Sequence, residues 1–110
     1  MKKGYIYLLV NYGSDPESYK IGITTGKIEN RIKSLQTGNP NEIVLLKFYK
    51  SQFYRQIERR LHKKYIYLKT EGGKEWFTLP PESVFDFNTE CETIESQINT
   101  LVKMENPFII

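Results

Sequence analysis

Apolar positions in this chain recur first every second residue and then at helical spacing, and the two periods alternate from there on. GYIYLLV (4–10) and YKIGIT (19–24) predict two strands, and the Gly, Asp-Pro and Ser of NYGSDPES (11–18) predict the loop of an antiparallel hairpin. Alternation places Ile6, Leu8, Val10, Ile21 and Ile23 on a core face, and Tyr5, Tyr7, Leu9, Lys20, Gly22 and Thr24 on the other. In GKIENRIKSLQTG (26–38), Ile28, Ile32 and Leu35 follow helical spacing, with Thr25 as the expected cap and Gly38 as the stop. EIVLLKFYK (42–50) predicts a third strand with Val44, Leu46 and Phe48 on one face. After Ser51, a second expected cap, Phe53, Ile57, Leu61 and Tyr65 form the stripe of a second helix. EWFTL (75–79) predicts a short strand ended by Pro80-Pro81. Ile94, Ile98, Leu101 and Val102 share a face of a tail helix expected from about Glu90 to Lys103, and the apolar NPFII end is expected to dock on the body or on a partner.

Composition narrows the class. A chain of 110 residues with 39% hydrophobic and 14% aromatic residues can fill one compact core. The single cysteine, Cys91, excludes an internal disulfide framework and a Cys-based zinc cluster, and suggests a reducing, intracellular (cytoplasmic) setting. The apolar run after the basic start is broken at Asn11, so neither a signal peptide nor a membrane span is expected.

Charge separates the chain into two parts. Residues 1–80 hold 15 Lys and Arg against seven Asp and Glu, whereas residues 81–110 hold one against six. A basic body with an acidic tail suggests a polyanion-binding surface, the bland alternative being ordinary solvated charge. The expected division is a body at 1–80 and an acidic helical extension at 81–110, packed on the body or pairing two copies as a homodimer.

Candidate chemistry concentrates on the two long helices. At ~100° per residue, Glu58 and His62 lie just off the stripe of the second helix, and Arg55, Arg59 and Lys63 lie further round. Glu58 is the only acidic residue between positions 43 and 70. It either relieves like-charge repulsion through Arg55 or His62, or holds a Mg²⁺ whose shell is completed by waters and a substrate phosphate. Arg31 flanks the first helix's stripe, where a guanidinium can fork onto a phosphate or simply remain a solvated surface charge. Tyr7 alone reads equally as a half-buried strand aromatic, and His62 as a helix-surface partner of Glu58.

Taken in order, YIY (5–7), KIG (20–22), Arg31 and Glu58 resemble the GIY-YIG nuclease superfamily. With LQTGNP (35–40), ERRLH (58–62) and EWFTL (75–79), the chain looks like the phage-type subgroup, over residues 4–79. The resemblance implies an α+β fold with a small three-stranded antiparallel sheet flanked by helices. It also implies an endonuclease that hydrolyses DNA phosphodiesters with one Mg²⁺, for which Mn²⁺ can substitute; RNA is the alternative polyanion. Glu58 matches the metal carboxylate, Arg31 the helix arginine and Tyr7 the tyrosine of the first motif. Lys20 stands where many members carry a tyrosine, Leu35 where some carry a histidine, and no asparagine matches the position near Glu75 and Trp76. The general base therefore stays open, with Tyr7 helped by Lys20 or His62 as the expectation. Tyr5, Tyr7, Lys20, Gly22 and Thr24 are expected to floor a phosphate-handling groove, with Arg55, Arg59 and Lys63 tracking the backbone and Glu75 and Trp76 at its side. A non-cleaving nucleic-acid-binding module is the second reading.

Overall fold

The computed structural model describes residues 2–70 and 76–104. In chain order these form β1 (Gly4–Tyr12), β2 (Ser18–Thr24), α1 (Ile28–Gln36), β3 (Glu42–Ser51), α2 (Tyr54–Lys64), β4 (Trp76–Phe77), α3 (Pro81–Phe85) and α4 (Phe87–Lys103), with a 3₁₀ turn at Ile66–Leu68. The strands make one antiparallel sheet in the order β3-β1-β2-β4. The architecture is thus α+β, a sheet flanked by helices with a further helix at the C-terminal end. Three long strands carry it, and the short strand expected at 75–79 joins as a fourth through Tyr19↔Phe77 and Lys20↔Trp76.

Both faces of the sheet are covered. On one, Ile6, Leu8 and Ile21 pack with Phe53, Ile57, Leu61 and Tyr65 along α2 and with Phe87, Cys91, Ile94 and Ile98 of α4. On the other, Tyr7 and Leu9 pack with Ile28 of α1 and Ile43 of β3, with Ile32, Leu35 and Trp76 at the margin. This corrects the expectation of an open tyrosine floor. Tyr7 and Leu9 are fully buried and Lys20 is only 6% exposed. The physical reason lies in the topology: β1 is a central strand with helices on both sides, so its two faces both need apolar side chains.

Local departures from the sequence expectation have similar causes. The run Val44, Leu46, Phe48 does not share a face, because the β1–β3 register shifts between Leu8 and Leu9. Val44 lies opposite Val10 and Phe48 opposite Tyr7, so a bulge at Leu46 resets the alternation. Helix α1 begins at Ile28 with Lys27 at the cap position and no side-chain cap. Thr24, not Thr25, serves the turn, its Oγ1 accepting a hydrogen bond from Gly26 N at 3.1 Å. Gly38 takes the left-handed φ of 77° that ends α1. Phe53, not Ser51, holds the cap position of α2, and Ser51, two residues before it, accepts a hydrogen bond from Phe53 N at 3.0 Å.

The C-terminal helix is tied to the sheet by polar groups as well as by its apolar stripe. Tyr49 Oη donates to Glu95 Oε1 at 2.9 Å, Ser51 donates to the other Glu95 oxygen, and Asn88 Nδ2 donates to the Phe48 carbonyl at 3.0 Å. Lys64 of α2 pairs with Glu90. Burial, the Glu95 hydrogen bond and nearby carboxylates push the Tyr49 hydroxyl up to about 12, and burial followed by Glu95 pushes the Cys91 thiol up to about 12. Within α4, Ile94 and Ile98 are buried, Leu101 is half-buried and Val102 is 46% exposed. The NPFII segment lies outside the described residues. No described helix is long and apolar enough to cross a membrane.

Candidate active site on strand β2

Residues 20–22 of β2 are where the candidate groups meet. Tyr7 lies directly opposite Gly22 in the β1–β2 register. Its ring crosses the glycine so closely that a Cβ built there would stand 2.5 Å from Tyr7 Cζ. Any larger residue would have to displace the ring, so the glycine fixes where the Tyr7 hydroxyl can lie. Lys20, two residues back on the same face, places its Nζ 5.8 Å from the centroid of Trp76, its β4 partner.

The opposite face supplies the other half. Along β2, β4 pairs with Tyr19 and Lys20 alone among the described residues, and beyond them α2 reaches the strand. His62 Nε2 lies 2.7 Å from the Ile21 carbonyl, and since a carbonyl only accepts, Nε2 carries the proton. In the neutral ring this leaves Nδ1 as the acceptor. The ring also packs edge-on against Phe77, with centroids 5.1 Å apart. Glu58 Oε2 stands 4.0 Å from His62 Nε2, and their side chains are 18% and 21% exposed. One oriented imidazole is thus held against the main chain that carries Lys20 and Gly22, with a carboxylate beside it.

The remaining candidates are arranged around this point or away from it. Arg31 is exposed on α1, next to the stripe that covers Tyr7. Arg55, Arg59 and Lys63 are exposed on the outward shoulder of α2, and Arg55 stacks on Tyr54 at 5.3 Å. Tyr5 and Thr24 face each other at the far end of the hairpin. There Tyr5 packs edge-on against Phe48 at 5.9 Å, beneath Lys50 at 5.5 Å, and the Thr24 hydroxyl is engaged in the turn to α1. Those two are not gathered with Lys20. Glu75 lies outside the described residues, whereas Trp76 is half-buried beside Lys20.

Tyr19 adjoins Lys20 but packs toward the α2 side. Burial first, and Glu17 second, raise its hydroxyl pKa above the ordinary tyrosine value, the opposite of what a base requires. Sequence reasoning missed two features of the site. The hydrogen bond from His62 to Ile21 joins residues 41 apart and leaves no local signature. The contact between Tyr7 and Gly22 was readable only once the hairpin register was known, although a glycine inside an apolar strand is itself a sign of close approach.

The donor set bears on metal binding. Among the described residues no group of three or more His, Cys, Asp and Glu side chains could enclose a cation. A hard cation held by one carboxylate, with water and substrate phosphate completing its shell, asks for no such group, and Glu58 is sufficiently exposed for that role.

Residues 4–95 match the T5orf172 domain model, a span running from the start of β1 past β4 into α4. A curated protein described as "Uncharacterized protein R9", from Acanthamoeba polyphaga mimivirus, is 30% identical over 102 residues. That alignment covers 89% of this chain and 26% of the viral protein, so the chain spans about a quarter of that relative's length. No solved structure gives a significant match.

Proposed function

The chain belongs to the T5orf172 domain family, a phage-associated family related to GIY-YIG and HNH-like nuclease folds, and on that premise we propose that it is a metal-dependent DNA endonuclease of the GIY-YIG type. The observation that carries the reading is the convergence on three residues of β2. Tyr7 crosses Gly22 and Lys20 sits beside Trp76 on one face, while Glu58 and His62 approach from the other. A core-forming strand needs none of these groups at one place.

In this reading Glu58 would hold Mg²⁺, or Mn²⁺ in its place. When bound, the ion supplies positive charge to the scissile phosphate and the leaving 3′ oxygen. Water adds to phosphorus as the bond to the 3′ oxygen breaks. Arg31, exposed on α1, offers a planar fork to the non-bridging oxygens as their charge grows. His62, oriented by the Ile21 carbonyl, presents Nδ1 as a proton acceptor at the edge of the strand. Arg55, Arg59 and Lys63 hold the flanking phosphates on the shoulder of α2. Tyr7 orients the attacking water, which requires the substrate to lift the α1 cover over Gly22. That cover is slight: α1 has nine residues, of which only Ile28 is buried. Short elements with little buried apolar area are the ones that open at low cost.

A second reading, binding without cleavage, is favoured by one specific observation, the full burial of Tyr7. The two are separated by incubating the protein with supercoiled, linear, branched and single-stranded DNA in Mg²⁺, Mn²⁺ or chelator. Metal-dependent strand scission supports the endonuclease. Retention of DNA with no scission on any substrate supports the binding module.

A further inference from the structure

A cleft of about 640 Å³ opens at the loop end of the hairpin, lined by Asn11, Ser18, Leu35, Asn39, Lys69 and Trp76, with Thr70 and Thr78 beside them. We propose that it is a nucleobase subsite, which takes one unpaired base of the DNA strand next to the scissile phosphate. The inference rests on the endonuclease reading and names a specificity element within it.

The lining fits that ligand in several respects. Among the described lining residues, amides, hydroxyls and one lysine surround an indole, and none of these residues carries a carboxylate to repel a phosphate. Aromatic faces stack bases of any sequence, and amides match their hydrogen-bonding edges. The volume falls within the range of about 300–1,000 Å³ usual for single-ligand pockets, so it admits one base and not a duplex. Asn11 supplies an independent sign. Its side-chain oxygen is buried with no hydrogen-bond partner among the described residues, an acceptor that a base N–H would satisfy.

Position agrees with composition. Asn11 pairs with Ser18, and Ser18 lies four residues along β2 from Gly22, roughly 13 Å at strand rise. A nucleotide near the scissile phosphate can span that interval. Leu35 and Trp76 belong to the same cluster as Tyr7, which puts the cleft on the Tyr7 face of the sheet. Lys20 beside the indole and Lys69 at the lining place positive charge at both sides of the stacked base. An unpaired base is available in single strands, flaps and branch points, and is costly to extract from intact duplex.

Trp76 is the chain's one tryptophan, so its emission reports on this cleft alone. The test titrates the full chain, in chelator to prevent cutting, with a single-stranded deoxyadenylate decamer. An abasic strand of equal length and a blunt duplex serve as comparisons, and binding is followed separately by anisotropy of a labelled strand. The expected result is quenching by the base-bearing strand, which binds roughly 5- to 150-fold more tightly than the abasic one. Trp76→Leu and, independently, Asn11→Ala should shrink that preference. Equal binding of both strands, or unchanged emission as anisotropy saturates, overturns the subsite while DNA binding stands. Failure of every strand to bind overturns the DNA reading and the subsite together.

Discussion

At Gly22 a single hydrogen atom sets the spacing between β2 and the ring that crosses it. Adding a methyl there meets Tyr7 ring atoms at 2.5–2.7 Å, and the ring itself is fully buried. Gly22→Ala should therefore destabilise the fold by about 1–3 kcal/mol, the usual cost of overpacking. In a Tyr7→Ala background the same change should cost much less, and urea unfolding of the four proteins measures the difference as a coupling energy. Additive costs would show that the ring does not constrain the glycine. Arg31 behaves oppositely, since its side chain is exposed. Arg31→Ala should leave the melting temperature within a degree or two and slow cleavage by roughly 10²–10³. Turnover equal to the parent would remove Arg31 from the chemistry. At this scale the sequence was most informative where one residue type has one physical use. Glu58 stood out as a lone carboxylate among cations, and His62 was placed beside it by helical spacing alone. The burial of Tyr7 was not legible, because alternation identifies two faces of a strand without saying that both are covered.

Among the elements, α2 is the one whose sequence pattern carried over intact: Phe53, Ile57, Leu61 and Tyr65 are all buried. Strand β3 did not carry over, because a bulge is a one-residue event that apolar alternation averages away. The start of the last helix was also missed. Phe87 and Cys91 extend the stripe of Ile94 and Ile98 toward the N-terminus, but the Pro80-Pro81 pair reads as a strand end and hides the α3 turn between them. The polar join of α4 to β3 depends on Glu95, which accepts from Tyr49 and Ser51. Glu95→Ala leaves both donors without their acceptor and should cost about 1–3 kcal/mol. The same join gives a pH dependence. Cys91 and Tyr49 keep their protons to about 12 in the fold, against ordinary values of 9.0 and 10.0. As pH rises above about 9 the unfolded chain releases protons that the folded chain retains, so stability falls progressively toward pH 12. Tyr49→Phe should flatten the part of that decline above pH 10. An identical slope would show that Tyr49 ionises equally in both states.

For the whole molecule, the charge asymmetry read from sequence acquires a geometry. The acidic segment 81–104 packs as α3 and α4 against the same core as α2, and Phe87, Cys91, Ile94 and Ile98 contribute to that core. Deleting it would expose this core face, so its electrostatic effect is better tested by neutralising outward carboxylates in place. Glu82, Asp86 and Glu92 are exposed. Replacing them with Gln, Asn and Gln should tighten non-specific DNA binding at low salt and have little effect near physiological salt, where screening acts within ~8 Å. Weaker binding at low salt would show that these carboxylates help to hold the substrate. The central claim concerns Glu58, and comparing the parent with Glu58→Gln tests it most directly, with cleavage and DNA affinity measured side by side in Mg²⁺ and in chelator. The account predicts that the parent cuts only with metal, and that Glu58→Gln binds DNA as tightly but no longer cuts. Equal metal-dependent cutting by both proteins, or no cutting by the parent on any DNA form, would contradict it.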